Sequence, residues 1–429
     1  MMLQQLLPLI VKLRERFPSG YYYLVRVAKR FMGGTFGVYP RTLANEVSAV
    51  TEILRSSQWN MAYGRGLAHE RLESEFAEAV GAGHAIAVAS GGVALQMSLR
   101  AIGLKPGDEA IHQVDTCSAT AMAVMNAGVT PVFADISDST FMLDCSDVEN
   151  RIGPQTRALI ATHMWGNPEN VSALRALARE RGLKLIEDAC LGLGAVADGK
   201  PAGSWGDVGV FSFGCIKPIQ TGEGGMIVTD DESLARELRS LRHWGDRTIE
   251  FGVRDTTQLA WNGRMSEILA GVAREQLRGY PKHLQELRNA VGEFQNILAG
   301  FPGVSLMLGT AETVSSCAFT QVVLRVNEAT LGLSKTELMT ELTKNGIANW
   351  HANFELINSL SFFRSGGWRD WILRGDIDRV GKNNSGPFPI AERVFAHDGL
   401  GFGKTNFLSP GNREHLETVL RSLLKRGAA

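Results

Sequence analysis

Residues 208–229 read Val208-Gly-Val-Phe-Ser-Phe-Gly-Cys-Ile-Lys217-Pro-Ile-Gln-Thr-Gly-Glu-Gly-Gly225-Met-Ile-Val-Thr229. Two short apolar runs, Val208–Phe213 and Gly225–Thr229, have strand length and composition. Between them Lys217 stands among Phe213, Ile216 and Ile219 and is ringed by glycines. Apolar surroundings strip water from an ammonium and favour its neutral, nucleophilic form, as Schiff-base chemistry requires. An ordinary lysine in a glycine loop is the plain alternative at this stage.

Upstream the same alternation recurs. Ala85–Ala89, Glu109–Ile111, Pro131–Ile136, Ala158–Thr162 and Lys184–Ile186 are strand-like, with helix-period stretches at Val93–Ile102, Val171–Arg181 and Ser233–Leu241. The pattern predicts βαβ units around a largely parallel α/β sheet covered on both faces. In such sheets ligands bind beyond the carboxyl ends of the strands. Two further strand ends are therefore candidates.

Ser90-Gly91-Gly92-Val93 follows the first run and opens a helix. Its glycines would let backbone N–H groups approach an anion, helped by the helix dipole, so a phosphate suits it; a plain connector is the alternative. The run Leu185-Ile186-Glu187-Asp188 ends in two carboxylates, which alternation sends to opposite sides, so only one enters the cleft. That one would hold a metal, a ligand hydroxyl or a cationic ring nitrogen, or merely cap the next turn. An anion cradle, a strand-end carboxylate and an amine together are what pyridoxal 5'-phosphate requires.

Composition narrows the class. Lys+Arg 44 against Asp+Glu 45 gives a net charge of −1, so charge names neither nucleic acid nor an anionic membrane as partner. Five scattered cysteines lack ligand spacing, so neither a disulfide framework nor a metal site is expected. The longest uncharged stretch, Thr116–Ala134, contains Ser118, Asn126, Gly128 and Pro131 and is no membrane span. The first residues have the wrong order for a signal peptide, and the expected location is cytoplasmic. Glycine is in excess at 47 residues, ten of them between 190 and 225, where average usage would place about three.

Three domains are expected: a helical extension over 1–45, a cofactor-binding domain over 46–300 and a smaller C-terminal α+β domain over 301–429. The last contains a strand-like Ala318–Val326, helices over Lys335–Asn345 and Asn412–Arg426, and GLGFGKTN at 399–406. That last stretch lacks Walker spacing and is read as an ordinary loop.

The segments SGGVAL, TPVFADI, THMWGNP, GLKLIEDAC, GSWGDVGVFSFGCIKPIQTGEGGMIVTDD and WNGRMSEILA resemble the DegT/DnrJ/EryC1/StrS family of fold-type I pyridoxal-phosphate enzymes, mostly sugar or cyclitol aminotransferases. The resemblance covers about residues 46–300. It implies that Lys217 carries the cofactor, Asp188 pairs with its pyridine nitrogen, Ser212 binds phosphate, and Gly91, Gly92 and Val93 form the cradle. Asn262 is then the residue reaching the phosphate of a neighbouring subunit's cofactor, implying a homodimer with shared sites. Trp350 and His351 fall where relatives shape the substrate pocket, with core packing the alternative.

Departures from the family pattern are Cys117 where an aromatic ring usually covers the cofactor, Leu191 where Gln or His is common, Gly92 for Thr and Gly214 for His. The implied reaction moves an amino group from Glu or Gln to a keto sugar or keto cyclitol. A sugar dehydratase of the same fold, which carries His in place of the lysine, and a non-catalytic cofactor-binding regulator are the rival readings.

Overall fold

The computed structural model describes residues 44–59, 67–168, 170–246, 255–352, 356–371, 377–404 and 410–427. The expected N-terminal extension lies outside these, apart from Ala44 and Asn45, which open helix α1 (Ala44–Ser56). Then come α2 (Leu67–Val80), β1 (His84–Val88), α3 (Gly91–Ala101), β2 (Glu109–Gln113), α4 (Ser118–Asn126), β3 (Thr130–Ala134) and α5 (Cys145–Arg151). They lead to β4 (Thr156–Thr162), α6 (Val171–Glu180), β5 (Lys184–Asp188) and a small hairpin, β6 (Val196–Ala197) with β7 (Lys200–Pro201). β8 (Val208–Ser212), β9 (Gly225–Thr229) and α7 (Glu232–Arg242) follow.

The large sheet has seven strands in the order β1-β9-β8-β5-β4-β2-β3. β9 runs antiparallel to both neighbours, while β8, β5, β4, β2 and β3 pair in parallel. This is the mostly parallel α/β architecture the sequence predicts. β9 turns back because residues 213–224 contain no helix, and a parallel return requires a crossover element.

Period-two alternation decides what each face buries. Ile86, Val88, Ile160, Ile186, Val208 and Val210 pack against α3, α4 and α7. Ala85, Ala87, Phe211, Met226 and Val228 pack against α2 and the long helix α8 (Glu267–Leu298). All of these strand residues are fully buried or nearly so, so the sheet is covered on both faces and its polar side chains concentrate at strand ends.

The C-terminal segment forms a second, antiparallel sheet in the order β10-β11-β13-β12, from β10 (Val304–Leu306), β11 (Gln321–Val326), β12 (Trp350–His351) and β13 (Gly399–Gly403). Helices α9 (Lys335–Lys344), opened by a capping box at Ser334, and α10 (Pro410–Gly427) accompany it. Val322, Leu324, Leu400 and Phe402 share a hydrophobic cluster with Leu159 and Leu185 of the large sheet and Phe294 of α8.

Two readings are corrected here. β11 begins at Gln321 rather than Ala318, because the Ala318 and Thr320 amides donate to Gly166 and Trp165 carbonyls instead of to a strand. Residues 399–403 of GLGFGKTN are a strand, not a loop. Leu400 and Phe402 fill the core, and the alternating glycines make room on the other face: a Cβ on Gly399 would collide with Ala352 Cβ, and one on Gly401 would meet Trp350 Nε1 at 2.8 Å. Among the described residues no helix is long and apolar enough to cross a membrane.

Candidate active site

The carboxyl ends of β5, β8 and β1 meet at the start of α3. Ser90 is extended (φ −166°), and its hydroxyl accepts the Val93 N–H at 3.2 Å, capping the helix. Val93's amide is thus engaged, while those of Gly91 and Gly92 have no intrahelical acceptor, as at any helix start. Gly91 is required sterically. A Cβ there would meet Ser212 Cβ at 2.8 Å, Cys190 Sγ at 3.0 Å and Ser212 Oγ at 3.2 Å. The helix start is therefore pressed against the ends of both β8 and β5. Gly263 closes the other flank, its carbonyl accepting the Ala89 N–H at 2.8 Å, which brings exposed Asn262 alongside.

Asp188 and Glu187 point to opposite faces of β5. Glu187 is fully buried and accepts the amides of Gly203, Trp205 and Gly206, while His163 Nε2 lies 2.8 Å away. Saturated in this way, it fastens the 203–206 turn rather than facing a ligand. Asp188 lies on the α3–α4 side, where Thr120 Oγ1 of α4 donates to its Oδ2 at 3.0 Å and the Cys190 N–H approaches Oδ1 at 3.4 Å.

Buried polar atoms without a hydrogen-bond partner cluster beside Asp188. Thr162, its register neighbour on β4, has such an Oγ1, and His112 on β2 has such an Nε2. The His112 Nδ1 lies 2.9 Å from the Gln113 carbonyl. Burial holds this imidazole down at about 4, against the raising effects of the Gln113 bond and the Asp188 charge. It stays neutral at pH 7.

Lys217 rides on the loop after β8. The loop is fastened by Phe213 N–H to Gly224 O at 2.8 Å and Thr221 N–H to Phe213 O at 2.9 Å. Gln276 of α8 bonds the Gln220 backbone both ways, accepting its N–H at 2.6 Å and donating to its carbonyl at 2.7 Å. The apolar wrapping expected around Lys217 is only partial. Phe213 and Ile219 are core residues beneath the loop, but Ile216, with a left-handed backbone (φ 70°), is 48% exposed. Lys217 itself is half-buried.

Cys190 ties the three junctions together. It is half-buried, packs on Gly91 and hydrogen-bonds Asp188. Burial pushes its thiol well up, Asp188 adds to the shift, and the charge of Lys217 opposes it. Cys117 also acts on this thiol, raising it, and opens α4 as an exposed residue with no side-chain cap bond. Leu191 turns its partly buried side chain to the cluster shared with the C-terminal sheet. The described contacts of Trp350 and His351 lie within that second sheet's surroundings: Trp350 against Gly401, and His351 stacked on Phe395 with centroids 5.1 Å apart.

Sequence reasoning missed Thr120, Thr162, His112 and Gln276. Thr120 lies one helical turn beyond Cys117 in VDTCSAT, a spacing that puts both near one helix face, but nothing local marks its partner 68 residues on.

A profile of the DegT/DnrJ/EryC1/StrS aminotransferase family matches residues 40–366. The chain belongs to this family of aminotransferases. It is 35% identical to a UDP-N-acetyl-3-dehydro-alpha-D-glucosamine 3-aminotransferase of Acidithiobacillus ferrooxidans, over 65% of this chain and 72% of that protein. To a GDP-perosamine synthase of Caulobacter vibrioides it is 37% identical, over 61% of this chain and 69% of the relative. Among solved structures, that of DesI in the presence of its TDP-sugar product superposes with a TM-score of 0.76 at 29% identity, covering 90% of this chain and 91% of that one.

Proposed function

We propose that this aminotransferase works with pyridoxal 5'-phosphate at the strand ends around Gly91, Asp188 and Lys217, and moves an amino group from Glu or Gln to a keto sugar or keto cyclitol. The observation that carries the reading is the close packing of Gly91 on Ser212 and Cys190 beside Asp188, which leaves a side-chain-free helix start next to a fixed carboxylate and an amine. The residues fit such a group. Gly91 and Gly92 offer free amides at the positive end of α3, Ser212 adds a hydroxyl, and the orphaned Thr162 Oγ1 and His112 Nε2 are polar atoms awaiting partners near Asp188. The sugar chemistry rests on the relatives, whose names refer to nucleotide-linked sugars.

When bound, the cofactor supplies an electron-poor ring that takes up the electron pair left when the bond between hydrogen and the amino-bearing carbon is broken. The protein's part is positioning and proton movement. Asp188, oriented by Thr120, would pair with the ring nitrogen and hold a proton on it. Neutral His112 adds no competing positive charge behind that carboxylate. Lys217 would hold the cofactor, and its Nζ, when free, would take up and return the proton of the donor's amino-bearing carbon. Asn262 completes the phosphate site of a second copy in a homodimer.

The purified protein should show a visible absorption that depends on Lys217. With L-glutamate or L-glutamine and a panel of keto sugars, free and nucleotide-linked, mass spectrometry should detect an aminated sugar. Retention of both the band and turnover in Lys217→Ala would refute the assignment.

A further inference from the structure

The lysine of GLGFGKTN has no part in the reaction described so far. It follows β13 directly and is only 6% exposed, so its ammonium is held away from bulk water. Burial draws it down to about 8. Its Nζ donates to the main-chain carbonyl of Lys217 at 3.2 Å. The charge of Lys404 is also felt by His283 of α8, helping burial to lower that imidazole. The amine is therefore turned to the catalytic loop, between that loop and α8.

The receiving carbonyl sits at a strained point. Ile216, immediately before Lys217, is β-branched and left-handed at φ 70°, a strained conformation that persists only where the surroundings enforce it. The half-exposed Ile216 side chain gains little from burial. The enforcement comes after it. The Lys217 carbonyl accepts Gln220 Nε2 at 3.1 Å as well as Lys404 Nζ, and Gln220 is itself doubly bonded to Gln276. One of the two pins comes from the loop and α8, the other from the second sheet.

We propose that Lys404 is a positioning residue for Lys217, which fixes the main chain of the catalytic lysine to the end of β13 so that only its side chain moves during the reaction. The inference rests on the reading that Lys217 carries the cofactor. A lysine side chain must reach the cofactor, leave it and return in each cycle, and a wandering Cα would spread its amine over many unproductive positions. The link also makes the second sheet a mechanical neighbour of the amine, since β13 pairs with β12, which carries Trp350.

The test is the rate at which the full chain, mixed with pyridoxal phosphate, develops the visible band that Lys217→Ala lacks. Lys404→Met keeps the length and apolar stem of the side chain and removes its ammonium. It should slow band formation roughly tenfold through loss of a charge-assisted hydrogen bond, while Lys404→Arg, which can still donate, stays within about threefold of the unaltered protein. If Lys404→Met fails to fold, Lys404→Gln, uncharged and too short to reach the carbonyl equally well, takes its place with the same expectation. Equal rates for the unaltered and Met (or Gln) proteins, or an Arg variant as slow as Met, would overturn the proposal. A band missing from the unaltered protein would sink the Lys217 reading and this inference together; a normal band with an indifferent Met variant sinks this inference alone.

Discussion

Gly91→Ala should damage the site far more than Gly92→Ala, although the two glycines are adjacent in one helix turn. An added Cβ at Gly91 would lie 2.8 Å from Ser212 Cβ and 3.0 Å from Cys190 Sγ, whereas at Gly92 the nearest atom is Ser90 Oγ at 3.9 Å. Ser212 cannot retreat. It pairs with Gly225 in the β8–β9 ladder, and Gly225 is in turn so close to the α3 start that a Cβ on it would meet the Ser90 carbonyl carbon at 2.7 Å. The helix start must therefore shift, an overpacking cost of about 1–3 kcal/mol, only partly offset by a helix-propensity gain of at most about 1 kcal/mol. The shift opens the gap between the first-turn amides and Ser212, so pyridoxal phosphate should bind about tenfold or more weakly to Gly91→Ala, as read by titrating the Lys217-dependent band. Gly92→Ala should bind within about twofold of the unaltered protein, because 3.9 Å is ordinary van der Waals contact. Unchanged affinity in Gly91→Ala, or equal losses in both variants, would refute the reasoning.

Thr120→Val removes the 3.0 Å donor to Asp188, a bond to a charged group worth about 1.5–3 kcal/mol, and should lower kcat about 10- to 100-fold in steady-state assays while the visible band persists. Glu187→Gln turns an amide N–H₂ either towards the Gly203 amide or towards those of Trp205 and Gly206, and should cost about 3 kcal/mol of stability in urea unfolding. His112, held at about 4 against an ordinary 6.5, binds fewer protons folded than unfolded, so its contribution is present above about pH 6.5 and lost as the pH falls towards 4. Unfolding free energy should therefore drop by about 2 kcal/mol from this group between pH 7 and 5, and His112→Asn should flatten that part of the profile.

Some features were legible in the sequence because they are local. Hydrophobic period placed the strands of the large sheet and helices α3, α6 and α7, though not α4 or α5, and chain order alone assigned Gly91, Asp188 and Lys217 to strand ends, where an α/β sheet puts its ligands. Alternation assigned Glu187 and Asp188 to opposite faces without saying which faced the cleft. The C-terminal third was harder to read. In β13 every second residue is glycine, so the propensity signal vanishes, although Leu400 and Phe402 are fully buried; close packing against Ala352 and Trp350 demands those glycines, and no local rule predicts it.

The sequence by itself determined the element order, the chemistry-bearing residue types and their placement after strands, since these depend on side-chain period and backbone propensity within a few residues. The tertiary structure decided the partners: Thr120 on Asp188 from 68 residues away, and Lys404 on the Lys217 carbonyl from 187. It also exposed Ile216, leaving Lys217 less enclosed than its apolar neighbours in sequence suggest. Those outcomes depend on which surfaces meet when the sheet is covered, a property of packing among distant segments that no single stretch of chain encodes.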